Sequence, residues 1–146
     1  MSNADGAAKV LYTCELDVRW GDMDSMGHVN NTLYFRFCEQ ARMQWFTSLD
    51  LSQTEAPDSL IVIINAFCEF QVPVVYPARL QIEMSADGLG KSSFMSHYTI
   101  KDAPGSYSTP DPVHYATGRA KIVWVDHTGA KSIPVPNAIR QLITDT

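Results

Sequence analysis

The stretch Trp20-Gly21-Asp22-Met23-Asp24-Ser25-Met26-Gly27-His28-Val29-Asn30-Asn31-Thr32-Leu33-Tyr34 decides the fold, because the hydrophobic period changes across it. Upstream, Val10, Tyr12, Cys14, Leu16, Val18 and Trp20 share one phase, while Thr13, Glu15, Asp17 and Arg19 share the other. A period of two predicts a half-buried strand. Downstream, Tyr34, Phe37, Cys38, Ala41, Trp45 and Leu49 recur at spacings of three and four, which is one face of a helix. Arg36, Gln40, Met43 and Gln44 lie mostly on its other side. Between the two, Gly21 to Gly27 is turn chemistry, and Asn30 or Asn31 is a natural N-cap.

After a polar loop at Ser52 to Ser59, the run Leu60 to Phe70 is dense in β-branched and aromatic residues. It reads as a mostly buried strand continuing toward Val75 past Pro73. Leu80, Ile82 and Met84 alternate with Gln81, Glu83 and Ser85, and Asp87-Gly88-Leu89-Gly90 turns the chain into a strand at Phe94 to Ile100. Ala103 to Pro112 holds three prolines and reads as a loop. His114 to Val125 is a strand with Ala116, Gly118, Ala120, Ile122 and Trp124 in one phase. His127-Thr128-Gly129 is a hairpin turn, and a short amphipathic helix covers roughly 137–143. One long helix cannot cover both faces of a sheet. The order therefore predicts an α+β domain, a helix against one concave antiparallel sheet.

The 146 residues suit one domain, and 45% hydrophobic with 18% charged residues describes a globular chain. Eleven Lys and Arg against sixteen Asp and Glu give a net charge of −5, which argues against non-specific nucleic-acid binding. No run approaches the ~20 apolar residues of a membrane span. Met1 to Ala8 is small and polar, without secretory-signal character, and is expected to be disordered, leaving one domain over 9–146. Cys14, Cys38 and Cys68 are odd in number, widely spaced and set in apolar patterns, so buried free thiols in the cytoplasm are the expectation.

The densest chemistry is Asp22, Asp24, His28, Asn30 and Asn31. Turns are often Asp- and Asn-rich for conformational reasons alone. Here two carboxylates and a histidine open onto a helix N-terminus, whose unpaired N–H groups can hold an oxyanion. That arrangement suits hydrolysis. The four histidines show no metal-ligand spacing, so no metal is expected. No GxSxG elbow is present, and each cysteine falls among core residues.

The segment Trp20 to Tyr34, with Glu39-Gln40-Ala41-Arg42, resembles the signature of the 4-hydroxybenzoyl-CoA thioesterase family, in its branch carrying GHVNN. The resemblance implies a hotdog fold, a long central helix wrapped by a curved antiparallel sheet of five to six strands. It implies a homodimer or homotetramer with sites built across subunit interfaces. It implies hydrolysis of an acyl-CoA, with CoA part of the substrate and no further cofactor. The family's catalytic carboxylate falls on Asp24, as nucleophile or general base, and its oxyanion donor on the backbone amide of Asn31. The motif also resembles plant acyl-ACP thioesterases, in which Asp24 and His28 match and Met26 replaces an asparagine. His28 is thus an auxiliary candidate, and Asp22 reads as structural. Some hotdog thioesterases carry their carboxylate on the helix, which makes Glu39 a candidate against an ion pair with Arg42.

Gly90-Lys91-Ser92 ends like a phosphate loop, but Ser85 stands where the first glycine belongs and the stretch joins two strands. A nucleotide-hydrolysing loop is rejected. In the resembled family this turn contacts the CoA phosphates, a role that Gly90, Lys91, Ser92 and Ser93 fit. Arg79 and Arg119 are other sources of positive charge. Two alternatives to hydrolysis of acyl-CoA stand: a non-catalytic acyl-thioester binding module, and an acyl-ACP thioesterase. The acidic charge disfavours the latter, because the carrier is itself acidic.

Overall fold

The computed structural model describes residues 9–106 and 111–145; the expectation for residues 1–8 and the middle of the 103–112 loop lie outside the described residues. The strands are β1 (Val10–Asp17), β2 (Leu60–Phe70), β3 (Arg79–Asp87), β4 (Ser93–Asp102) and β5 (His114–Val125). The helices are α1 (Thr32–Ser48) and α2 (Asn137–Thr144). The five strands form one sheet in the order β1-β3-β4-β5-β2, every pair antiparallel. A short 3-10 turn, Trp20–Asp22, links β1 to the loop before α1.

The alternating phases become the core. Leu80, Ile82 and Met84 of β3, Phe94, Tyr98 and Ile100 of β4, and Ala116, Ala120, Ile122 and Trp124 of β5 are buried beneath α1. The helix returns Tyr34, Phe37, Cys38, Ala41 and Trp45 to that layer. Trp45 meets Phe94 edge-on at 6.1 Å, and Phe46 packs on Trp124 at 5.8 Å. Each such aromatic contact adds about 0.5–1.5 kcal/mol beyond area burial.

Two expectations are corrected. Trp20 shares the phase of Cys14 but lies beyond the strand's end in the 3-10 turn, 76% exposed. The strand period stops at Asp17, so phase no longer sets direction. The second concerns Leu60 to Phe70, which is an edge strand paired only to β5 and largely exposed. It ends at Phe70 and does not continue to Val75. Ile64, Phe67 and Phe70, with Val72, Val75 and Tyr76 beyond them, are exposed apolar side chains along this edge. An apolar run reports that a surface avoids water; it does not report whether the chain itself supplies the cover.

Candidate active site

The loop from Trp20 to Asn31 is held by its main chain. Asp22 is buried, takes the Arg19 N–H at 2.9 Å on its carboxylate and the Asn30 N–H at 3.0 Å on its carbonyl. This is the structural role expected of it. The Asp24 N–H donates to the His28 carbonyl at 2.7 Å, and Gly27, at φ +83°, closes the turn with its N–H on the Asp24 carbonyl. Positive φ is cheap only for glycine.

The Asp24 carboxylate is thereby aimed. Its Oδ1 accepts the Met26 N–H at 2.9 Å and the His28 N–H at 3.4 Å. Its Oδ2 accepts no hydrogen bond among the described residues. His28 thus acts on Asp24 through its backbone, and its side chain is exposed.

Asn30, not Asn31, caps α1. Its Oδ1 takes the Thr32 N–H at 3.0 Å and the Thr32 hydroxyl at 2.8 Å, and its carbonyl takes the Leu33 N–H. Tyr34 N–H goes to the Asn31 carbonyl. Among the described residues the Asn31 N–H donates to nothing, so the helix opens with one free donor. Such a donor at the positive end of a helix is suited to a developing oxyanion.

The neighbouring segment supports this corner. The Tyr34 hydroxyl accepts the buried Val74 N–H at 3.2 Å, and Tyr34 meets Phe70 edge-on at 4.9 Å. Burial is the main cause that raises the Tyr34 phenol above its ordinary value, with the Asp24 charge adding to it.

Glu39 pairs within α1 with Arg36 at 3.0 Å, not with Arg42. Arg42 is buried, contrary to its charge, and has no carboxylate partner among the described residues. Its Nη1 donates to the Tyr98 hydroxyl at 3.2 Å, which donates to Ser96 Oγ, which donates to the Ala120 carbonyl. Its Nε is buried without a partner. A cavity of about 220 Å³ is lined by Thr32, Phe35, Phe67, Cys68, Arg42 and Tyr98, among others.

Gly90 to Ser93 stands apart. The Gly90 and Lys91 carbonyls accept Arg140 Nη2 at 2.6 Å each, and the Ser92 carbonyl takes the Trp124 N–H. The Lys91 side chain is exposed, and Arg140, on α2, adds a second cation beside it. Sequence reasoning missed Arg140, whose only signal was its place in an amphipathic helix. Arg79 is occupied by Glu15 and Asp17, and Arg119 lies over the Phe67 ring at 4.2 Å. One chain does not bring the two candidate groups together. The Asp24 loop rests against Val74 to Ala78, before β3, whereas Lys91 follows β3. The nine residues of β3 separate them by roughly 30 Å.

The thioesterase-like superfamily model matches residues 18–143, from the end of β1 to α2. The chain belongs to the thioesterase-like superfamily. Superfamily membership and the architecture together make this a hotdog-fold protein. It is similar to the PA2801 protein of Pseudomonas aeruginosa, provisionally described as a thioesterase, with 39% identity, coverage of 93% of this chain and 100% of that one, and a TM-score of 0.78. It is similar to a Thermus thermophilus thioesterase solved with coenzyme A and Zn, at 25% identity, 92% of each chain and a TM-score of 0.72. A Xanthomonas campestris protein carrying the provisional description of an acyl-CoA thioesterase has 32% identity, covers 85% of this chain and 100% of its own, and has a TM-score of 0.66. Among the described residues of this superfamily member, no three His, Cys, Asp or Glu side chains gather as metal ligands do. No helix among them is long and apolar enough to cross a membrane.

Proposed function

We propose that the protein hydrolyses an acyl-CoA thioester to the free acid and CoA, as a member of the 4-hydroxybenzoyl-CoA thioesterase branch. The observation that carries this reading is one loop that presents the half-free Asp24 carboxylate and ends at the free Asn31 N–H where α1 begins. The thioester carbonyl accepts the Asn31 amide. Asp24 attacks that carbon or deprotonates a water that does, and the charge developing on oxygen meets the helix N-terminus. The CoA thiolate then leaves; in the covalent route a water next cleaves the acyl–Asp24 anhydride, releasing the acid and restoring the carboxylate. His28 holds Asp24 in place through its N–H. The cavity lined by Thr32, Phe35 and Phe67 offers room for an acyl group.

Lys91, Ser92, Ser93 and Gly90, with Arg140, hold the CoA phosphates. Because Lys91 is at the far end of the sheet from Asp24, the phosphate site comes from a second copy. The exposed apolar edge around β2 supports a homodimer or homotetramer. The free thiols support a cytoplasmic location.

The test is thiol release from a panel of acyl-CoAs, aliphatic and aromatic. Turnover of at least one sustains the reading. Tight acyl-CoA binding with no thiol release from any assigns a binding module instead. Turnover of acyl-ACP but not of acyl-CoA assigns the carrier-protein thioester as substrate.

A further inference from the structure

Cys38 on α1 and Cys68 on β2 meet over Gly118. Cys68 lies opposite Gly118 in the β2–β5 ladder, and a Cβ built at Gly118 would be 3.0 Å from Cys38 Sγ and 3.3 Å from Cys68 Sγ. The missing side chain of Gly118 is the space in which both sulfurs sit. Both residues line the cavity of about 220 Å³, and Cys68 is partly exposed there, so a small solute reaches the pair. Neither thiol takes part in the Asp24 and Asn31 chemistry, although both line the cavity offered to the acyl group. The third cysteine, Cys14, is buried on β1.

We infer that Cys38 and Cys68 are a covalent modification site, a dithiol that a hydroperoxide converts to an intramolecular disulfide bridging α1 to the sheet edge. Cys68 is the attacking sulfur and Cys38 the resolving one. The Cys68 thiolate displaces one oxygen of the peroxide, which leaves as hydroxide and is protonated to water; the other oxygen stays on sulfur as a sulfenic acid. Cys38 sulfur then attacks Cys68 sulfur, and its proton leaves with the sulfenic oxygen as a second water. Two thiols lose two electrons, and one peroxide becomes two waters.

The assignment of roles agrees with the environments. Hydrogen bonding to Cys38 lowers the Cys68 thiol below its ordinary value, favouring the thiolate. The same bond, and then burial, raises Cys38. The consequence is mechanical: within one chain β2 is held by a single neighbouring strand, and the bridge would anchor it to α1 as well.

The experiment exposes the full chain to hydrogen peroxide, alkylates remaining thiols, and maps peptides without reduction. The expected product is a Cys38–Cys68 linked peptide, lighter by two hydrogens, reversed by dithiothreitol. The oxidised chain should melt higher by about 5–10 °C. C38S should stop at a Cys68 sulfenic acid trapped by dimedone, and C68S should leave Cys38 unoxidised, both variants keeping the parent circular dichroism. The inference is overturned if both thiols remain alkylatable, if the link forms between chains, or if Cys68 runs on to sulfinic acid in the parent without linking.

Discussion

The Asp24 carboxylate accepts the Met26 N–H at 2.9 Å on Oδ1 while its Oδ2 stays free of protein donors among the described residues. One oxygen thus organises the turn, and the other is left for a substrate or water. Asp24→Asn keeps the acceptor at Oδ1 and removes the charge. It should leave the melting temperature close to the parent's and lower kcat by ~10²–10⁴. Thiol release and a thermal melt on the same sample check both halves. Unchanged turnover would remove Asp24 from the mechanism.

Ile64, 59% exposed on the edge strand, tests the cover over β2. A lysine there places a charge in the proposed apolar interface. If the proposed assembly holds, the parent should sediment as a dimer or larger and Ile64→Lys as a monomer, with thiol release lower by at least about tenfold, because the phosphate site then comes from another copy. A monomeric variant with full activity would place the whole site in one chain.

Ser59 is buried in the loop before β2 and takes the Trp124 indole N–H on Oγ at 2.7 Å. Ser59→Ala leaves that donor buried and unpaired. The loss should be about 1–3 kcal/mol, seen in urea as a lower midpoint with an unchanged slope. A midpoint equal to the parent's would mean that water replaces the hydroxyl.

Gly118 is needed for volume rather than for backbone conformation. A Cβ at 3.0 Å from Cys38 Sγ is too close, so Gly118→Ala should cost about 1–3 kcal/mol. In a Cys38→Ala background the cost should shrink, and a double-mutant cycle by denaturation reads the coupling. Additive losses would place the strain elsewhere.

Two exposed turn carboxylates set a pH dependence. The Thr128 hydroxyl on Asp126 is the largest cause holding that carboxyl below its ordinary 3.8, and the Ser52 hydroxyl does the same for Asp50. A depressed folded pKa gives stability that is full above the unfolded value and is lost as pH falls through the folded one. The stability gaps between the parent and the Thr128→Ala and Ser52→Ala variants should therefore exist at about pH 6 and close below about pH 3. A gap that persists in acid would assign the effect to the neutral hydrogen bonds alone.

Much of the fold is legible residue by residue. Leu80, Ile82 and Met84, and Ala116 to Trp124, alternate as written because each strand carries one face to α1. Tyr34 to Trp45 names the helix face correctly. By spacing alone Arg42 reads as a helix-surface ion-pair partner; it is buried instead, because Tyr98, fifty-six residues away in sequence, supplies its acceptor. Cys68 reads as a core thiol and is only partly covered, because its strand is at an edge.

The sequence by itself determined the period change at Trp20 to Tyr34, the α+β architecture of one helix on one sheet and the Asp-rich turn before the helix, since local spacing governs which groups share a face. It also carried the superfamily signature. Only the tertiary structure decided that Asn30 caps α1 and so frees the Asn31 amide, that Glu39 turns to Arg36, and that Cys38 and Cys68 share the space over Gly118. It also separated Asp24 from Lys91 by the length of β3. Those facts depend on which donor finds which acceptor and on which strand ends at the sheet's edge. The Asn30 cap and the Arg36–Glu39 pair are local choices among neighbours that spacing alone leaves open, whereas the meeting of Cys38 with Cys68 is set by packing between elements distant in sequence.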